Sequence, residues 1–125
     1  MEKDLTLPDI ILKAEDIEWI PFSLPGWTGT TTAAFPNMNI TKAPFIAMAK
    51  LAPDAFIQKH YHNIAIESVY VVEGELINNG ETLKAGSFLV HGTGVAHGPH
   101  TTKTGCTLMF IQYPGVTVED SVLVE

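Results

Sequence analysis

The chain has 125 residues, 46% of them hydrophobic, with seven lysines, no arginine and fourteen acids for a net charge of −7. One domain with its own core suits that length, while the acidic balance excludes the cationic neutralisation on which nucleic-acid binding rests and disfavours an anionic membrane surface. Without arginine the usual bidentate anchor for phosphate or carboxylate is missing, which points to a neutral, mostly apolar small molecule as partner.

Residues 1–27 read as an N-terminal arm, because Pro8, Pro21, Pro25 and Gly26 interrupt any long element. Its acids and lack of a long apolar run exclude a signal peptide. Nowhere does the chain approach the roughly 18 apolar residues of a membrane span. Within the arm a helical turn is expected after Asp9, and Ile17 and Trp19, alternating with Asp16 and Glu18, predict a short strand. Residues 28–125 are assigned to a barrel. From Phe45 onward the chain reads as short strands with turn punctuation: FIAMAKL closed by Ala52-Pro53-Asp54, FIQKHYH, SVYVVEG ending at Gly74, ELINNGETL with a tight turn at Asn78-Asn79-Gly80, then SFLVHG and TLMFIQY. Many short strands at even spacing predict an all-β antiparallel barrel or sandwich. The lone cysteine, Cys106, precludes an intramolecular disulfide, fits a reducing, cytoplasmic setting, and is expected to be a small buried apolar residue.

The chemistry lies in His60, His62, Glu67 and His97. Three imidazoles and a carboxylate are a donor set for a single divalent transition ion. On an extended strand, side chains two residues apart point the same way, so His60 and His62 can converge on one metal while Tyr61 faces away. Glu67 is either a direct ligand or the carboxylate that orients His62. Three histidines and one glutamate on a six-coordinate ion leave positions open, as a catalytic site requires. Parity along the same strand adds Phe56 and Gln58 to the pocket, Gln58 as an amide able to hold substrate or oxygen. Tyr70, Phe88, Met109 and Phe110 are candidate wall residues. His91 is read as a structural histidine or as a pocket-mouth proton shuttle, and His100 as a solvent-facing loop residue.

The stretch from Asp54 to Thr101 resembles the cupin superfamily, whose first motif is G-x5-H-x-H-x3,4-E-x6-G and whose second is G-x5-P-x-G-x2-H-x3-N. His60, His62, Glu67 and Gly74 fall on the first; Gly86, Gly94 and His97 fall on the second. Asp54, Gly92 and Thr101 occupy the remaining glycine, proline and asparagine slots, departures that concern loop shape and not metal ligation. The segments EWIPFSLPGW and VAHGPHTTKTGCTLMFIQ narrow the resemblance to a subgroup that includes the cupin of ChrR-type anti-sigma factors and dioxygenases cleaving acetylacetone or dihydroxyacetophenone. The resemblance implies an RmlC-like jelly-roll barrel and one divalent transition metal per chain, with Fe(II) favoured and Zn, Ni, Mn or Cu also suitable. It implies a non-haem dioxygenase that cleaves a carbon–carbon bond in a small diketone or hydroxyketone. A zinc-binding sensor and a metal-dependent isomerase or lyase are the alternatives. A homodimer is expected, since barrel edges need covering and an apolar arm can lie on a neighbour's sheet.

Overall fold

The computed structural model describes residues 9–38, 44–114 and 120–125. The strand and turn signals fold as an all-β jelly roll whose arm adds a 3-10 turn at Ala14–Asp16. The strands are β1 (Ile20–Pro21), β2 (Trp27–Thr28), β3 (Thr31–Ala34), β4 (Phe45–Leu51), β5 (Phe56–Ile57), β6 (His60–His62), β7 (Ile66–Asn78), β8 (Glu81–Lys84), β9 (Phe88–His91), β10 (His100–Thr101), β11 (Cys106–Tyr113) and β12 (Ser121–Leu123). Ten of them form a curled sheet in the order β1-β3-β4-β11-β7-β10-β5-β2, with β8 and β9 also on β7, while β6 and β12 form a separate pair. Thirteen-residue β7 belongs to both halves of the curl. Its first part pairs with β11 and β9, and its last part with β8 and β10.

The first eight residues of the arm lie outside the described residues, and the rest is more structured than a loose extension. Ile17 and Trp19 are half-buried while Asp16 and Glu18 are exposed, yet the strand forms one step later, at Ile20–Pro21, where a β3 edge is available. Trp19 lies under the Lys50 ammonium at 4.1 Å, a cation–π contact on the outer face of β4. The boundary between residues 27 and 28 falls inside β2, which pairs with β5.

Burial follows strand parity, with two interruptions. Between Thr107 and Leu108 the β7–β11 register shifts, so that Val72 is an extra residue on β7. Ahead of this bulge Glu67, Val69 and Val71 face inward, and beyond it Leu76 does. Gly74 follows the bulge at φ +76°, and a Cβ there would sit 2.2 Å from the Gly105 carbonyl oxygen, so no other residue fits. The second interruption is the gap between β5 and β6 at Gln58 and Lys59. The core collects Ala49, Leu51, Ile57, Val69, Val71, Leu76, Cys106 and Leu108, with Trp27, Leu83, Leu89 and Phe110 packed against it.

Candidate metal centre

His60 and His97 exchange two backbone hydrogen bonds, His60 N–H to His97 O at 3.0 Å and His97 N–H to His60 O at 2.8 Å. This antiparallel bridge ties the loop after β9 to β6. A further bond, from Gly94 N–H to His62 O at 2.8 Å, fixes its other end. On its opposite edge β6 is held by β12, with Ser121 opposite His62 and Leu123 opposite His60. Glu67 arrives from the start of β7, facing the same interior. The donor atoms of His60, His62, Glu67 and His97 all lie within 4.8 Å of one another, and all four residues are buried.

The far side of each ring decides which nitrogen faces the centre. The His60 Nδ1–H donates to the Gln58 carbonyl at 2.8 Å, and the His97 Nδ1–H donates to the Val95 carbonyl at 3.3 Å. A carbonyl only accepts, so these contacts place the proton on Nδ1 and leave Nε2 with a lone pair. Behind His62 stands the Asp120 carboxylate, 3.8 Å from Nδ1 and itself fixed by the Ile64 and Ala65 amides at 2.7 and 3.1 Å. Glu67 Oε1 lies 3.5 Å from both His62 Nε2 and His97 Nε2, while its Oε2 accepts a 2.9 Å hydrogen bond from the Gln112 amide. His62 Nε2 and His97 Nε2 are buried without a hydrogen-bond partner. Buried polar atoms left this way are rare in folded proteins. Lone pairs and a carboxylate facing one point are what a divalent transition ion takes up, so the residues fit a metal.

Electrostatics agree with that donor set. Burial opposes ionisation of Glu67, but the nearby His62 and His97 rings and the Gln112 hydrogen bond outweigh it and hold the carboxyl well below the usual range. Burial lowers His60. It also pulls on His62, but Glu67 and Asp120 prevail and leave that imidazole raised. A second group, His91, His97 and His100, also brings its nitrogens within 4.8 Å. However, the His91 and His97 rings are stacked at 3.8 Å with only 5° between planes. In-plane lone pairs of two parallel rings cannot meet at one ion, so this trio is not a metal site in the observed arrangement.

The centre forms the polar end of a cavity of about 500 Å³. Phe22, Trp27, Phe35, Phe45, Ile57 and Phe110 supply much of its apolar wall, and His100, Gln112 and Ser121 add polar atoms.

The profile of the ChrR cupin-like domain family matches residues 7–115. The chain belongs to this cupin family. Among solved structures it is similar to a putative acetylacetone dioxygenase of Methylibium petroleiphilum, with a TM-score of 0.72, 12% identity, and coverage of 96% of this chain and 88% of the other. An RmlC-like cupin of Shewanella frigidimarina gives 0.70 at 22% identity over 86% and 93%. A predicted oxalate decarboxylase of Thermotoga maritima gives 0.69 at 22% identity over 82% and 97%. At these identities the likeness is one of fold. No curated protein sequence matches the chain.

This cupin brings together the four expected metal-facing residues, whereas most of the expected pocket residues fall elsewhere. Phe56 is exposed and Ile57 lines the cavity instead, because the gap at Gln58 and Lys59 reverses parity between β5 and β6. The half-buried Gln58 amide donates to the Val124 carbonyl at 3.2 Å and does not line the cavity; its contribution is the backbone carbonyl that holds His60. Tyr70, Phe88 and Met109 sit on the outer face: Tyr70 pairs with both Phe88 and Met109, and alternates with inward Val69 and Val71. Phe110 does line the cavity. His91 lies opposite Glu67 on β9, packed flat against His97 and outside the cavity lining, and burial lowers it to about 4. His100 is no solvent-facing loop residue: it is 6% exposed, lies in β10 between β5 and β7, and is lowered by burial to about 3. All five histidines of the chain thus cluster at one place. Two participants escaped sequence reasoning. Gln112 shares its inward parity with Leu108 and Phe110 on β11, a signal the strand offered; Asp120 had none. Cys106 is buried as expected, and burial raises its thiol.

Proposed function

We propose that this cupin is a non-haem dioxygenase using one Fe(II)-type ion per chain to cleave a carbon–carbon bond in a small diketone or hydroxyketone-like substrate. The observation that carries the reading is the convergence of three imidazole nitrogens and one carboxylate oxygen within 4.8 Å of one another, with His60, His62 and Glu67 lining a mostly apolar cavity. His60, His62 and His97 hold the ion through Nε2 and Glu67 holds it through Oε1. The same donors also suit Zn, Ni, Mn or Cu. Once bound, the ion supplies Lewis acidity and open positions for a chelating substrate and for oxygen. The chain's own part is positional. The Gln58 and Val95 carbonyls keep the His60 and His97 nitrogens aimed inward, Gln112 fixes the direction of Glu67, and Ile57 and Phe110 contribute to the apolar wall of the cavity. Similarity in fold to a putative acetylacetone dioxygenase supports the same reaction class.

The deciding experiment combines elemental analysis of protein purified without added metal or chelator with Fe(II)-dependent oxygen uptake in the same preparation. Near-stoichiometric iron and diketone-dependent oxygen consumption, lost in His62→Ala, are expected. Tightly held zinc without oxygen uptake would overturn the dioxygenase reading, and anaerobic turnover would replace it with an isomerase or lyase.

We also propose a cytoplasmic homodimer. Supporting the dimer is the outer face of β7 and β9, where Phe88 is 60% and Val90 56% exposed beside Tyr70. An apolar sheet face of this kind is a common docking surface. Among the described residues no helix is long and apolar enough to cross a membrane.

A further inference from the structure

The two terminal strands of the ten-stranded sheet, β1 and β2, are close in sequence. Residues 22–26 between them therefore run from one edge of the curled sheet to the other and close it. The strap is pinned along its length: Phe22 N–H donates to Thr31 O at 3.0 Å, Trp27 N–H to Leu24 O at 2.9 Å, and Gln58 N–H to Gly26 O at 2.9 Å. Its side chains Phe22 and Leu24, with Trp27 at the start of β2, form part of the cavity wall. From there the aromatic surface continues through edge-to-face contacts. Ring centroids are 5.8 Å apart for Phe22 and Trp27, 5.1 Å for Phe22 and Phe35, and 6.0 Å for the tilted pair Phe35 and Phe45.

Size and charge then define what fits. The volume of about 500 Å³ falls within the range of ~300–1,000 Å³ that encloses drug-sized ligands. A short acyclic diketone chelated at the polar end would leave the aromatic end empty, and an apolar void forfeits the contacts of every side chain around it. Among the described residues the cavity lining contains no lysine, and Glu67 is its one charged side chain. A carboxylate or phosphate carried on the ring, away from the metal-binding side chains, would be buried without a counter-charge, at a desolvation cost.

Resting on the proposed metal-chelating function, we propose that the substrate is an uncharged, aryl-bearing diketone or hydroxyketone whose ring is selected by the strap residues Phe22 and Leu24 and by Trp27 beside them. The ring lies against the aromatic wall while the two oxygens face the four metal-binding side chains. Selection of the ring is therefore assigned to the segment that closes the sheet, with the barrel strands supplying the rest of the wall.

The test is equilibrium binding to the full chain loaded with zinc, which is redox-silent, by calorimetry. The probes are acetylacetone, benzoylacetone and benzoylacetone bearing a para-carboxylate on its ring, the last keeping the same chelating oxygens and carrying its charge to the aromatic wall. Benzoylacetone is expected to bind at least tenfold more tightly than either of the others. Phe22→Ala should weaken benzoylacetone about tenfold and acetylacetone much less, and Leu24→Ala, a milder change, should act in the same direction. Equal affinity for acetylacetone and benzoylacetone, tighter binding of the ring-carboxylated probe, or no binding by any probe would overturn the proposal. If the ring preference persists at full strength in metal-free protein, selection by the strap stands and the metal-chelating function beneath it falls.

Discussion

Replacing Gln112 by leucine isolates the residue that aims Glu67. Its amide donates a 2.9 Å hydrogen bond to Glu67 Oε2, leaving Oε1 free between His62 and His97. Glu67 is 6% exposed, so water has little access to replace the lost donor. A hydrogen bond to a charged group contributes about 1.5–3 kcal/mol, and a buried acceptor left without a partner loses a similar amount. In the metal-free protein His62 Nε2 and His97 Nε2 lie 3.5 Å from the same carboxylate and offset part of this. With an ion bound, those nitrogens would be taken up by the metal and Gln112 would be the carboxylate's remaining hydrogen-bond partner. The cost therefore falls mainly on the loaded state. Gln112→Leu is expected to weaken metal binding by about 10–100-fold, which corresponds to ~1.4–2.8 kcal/mol.

Competition against a fluorescent zinc chelator measures this affinity directly, and the visible spectrum of the Co(II)-loaded protein reports whether the ligand geometry has changed. Thermal denaturation of the metal-free variant supplies the control. If metal affinity matches wild type while the metal-free protein melts earlier, Gln112 supports the fold and does not aim a ligand, and the reasoning fails. If neither quantity moves, the hydrogen bond is energetically idle.

Further expectations concern the metal, the core and the outer face. His60→Ala and His62→Ala should each abolish stoichiometric metal by elemental analysis while leaving the far-ultraviolet dichroism of a β protein intact; retained metal would remove the residue from the ligand set. Saturating zinc should stabilise the chain by about 2.7 kcal/mol at a free concentration one hundred times the dissociation constant, read in denaturant melts, and EDTA should reverse this. Leu108 is 1% exposed at the centre of the core, so Leu108→Ala should cost about 2–5 kcal/mol in urea unfolding. Phe88→Asp should shift a dimer to monomer in sedimentation velocity without loss of metal; an unchanged sedimentation coefficient would place the dimer contact elsewhere or show there is none.

The metal-facing residues were legible because their signal is local and redundant. His60-x-His62 needs only strand parity to converge, and the spacing to Glu67 and His97 repeats a known pattern. The strands of the barrel were legible where apolar, β-branched runs end at turns, as in Phe45–Leu51 and Cys106–Tyr113. Short strands without such runs were not: β3 is Thr-Thr-Ala-Ala and β10 is His-Thr, and each exists because a neighbouring edge offers hydrogen-bond partners. His100 escaped for the same reason, since its burial is conferred by β5 and β7 on either side. Asp120 is brought to His62 only when β12 pairs with β6, a contact across nearly half the sequence.

The pocket was misjudged for a more specific reason, one that also explains why a pocket exists. An unbroken strand from Phe56 to His62 would have set Phe56 and Gln58 beside the two histidines. The gap at Gln58 and Lys59 instead turns Phe56 outward, places Ile57 at the wall, and leaves the Gln58 carbonyl outside any ladder, where it accepts the His60 Nδ1 proton. At Val72 the bulge acts comparably on β7: it lets Glu67 and Leu76 both face inward although one is odd-numbered and the other even. Each irregularity gives up ladder hydrogen bonds, and each yields a side-chain arrangement that a period of two forbids. Parity carries a reading safely along one strand and fails at its breaks, and in this cupin the candidate metal centre is assembled at the breaks.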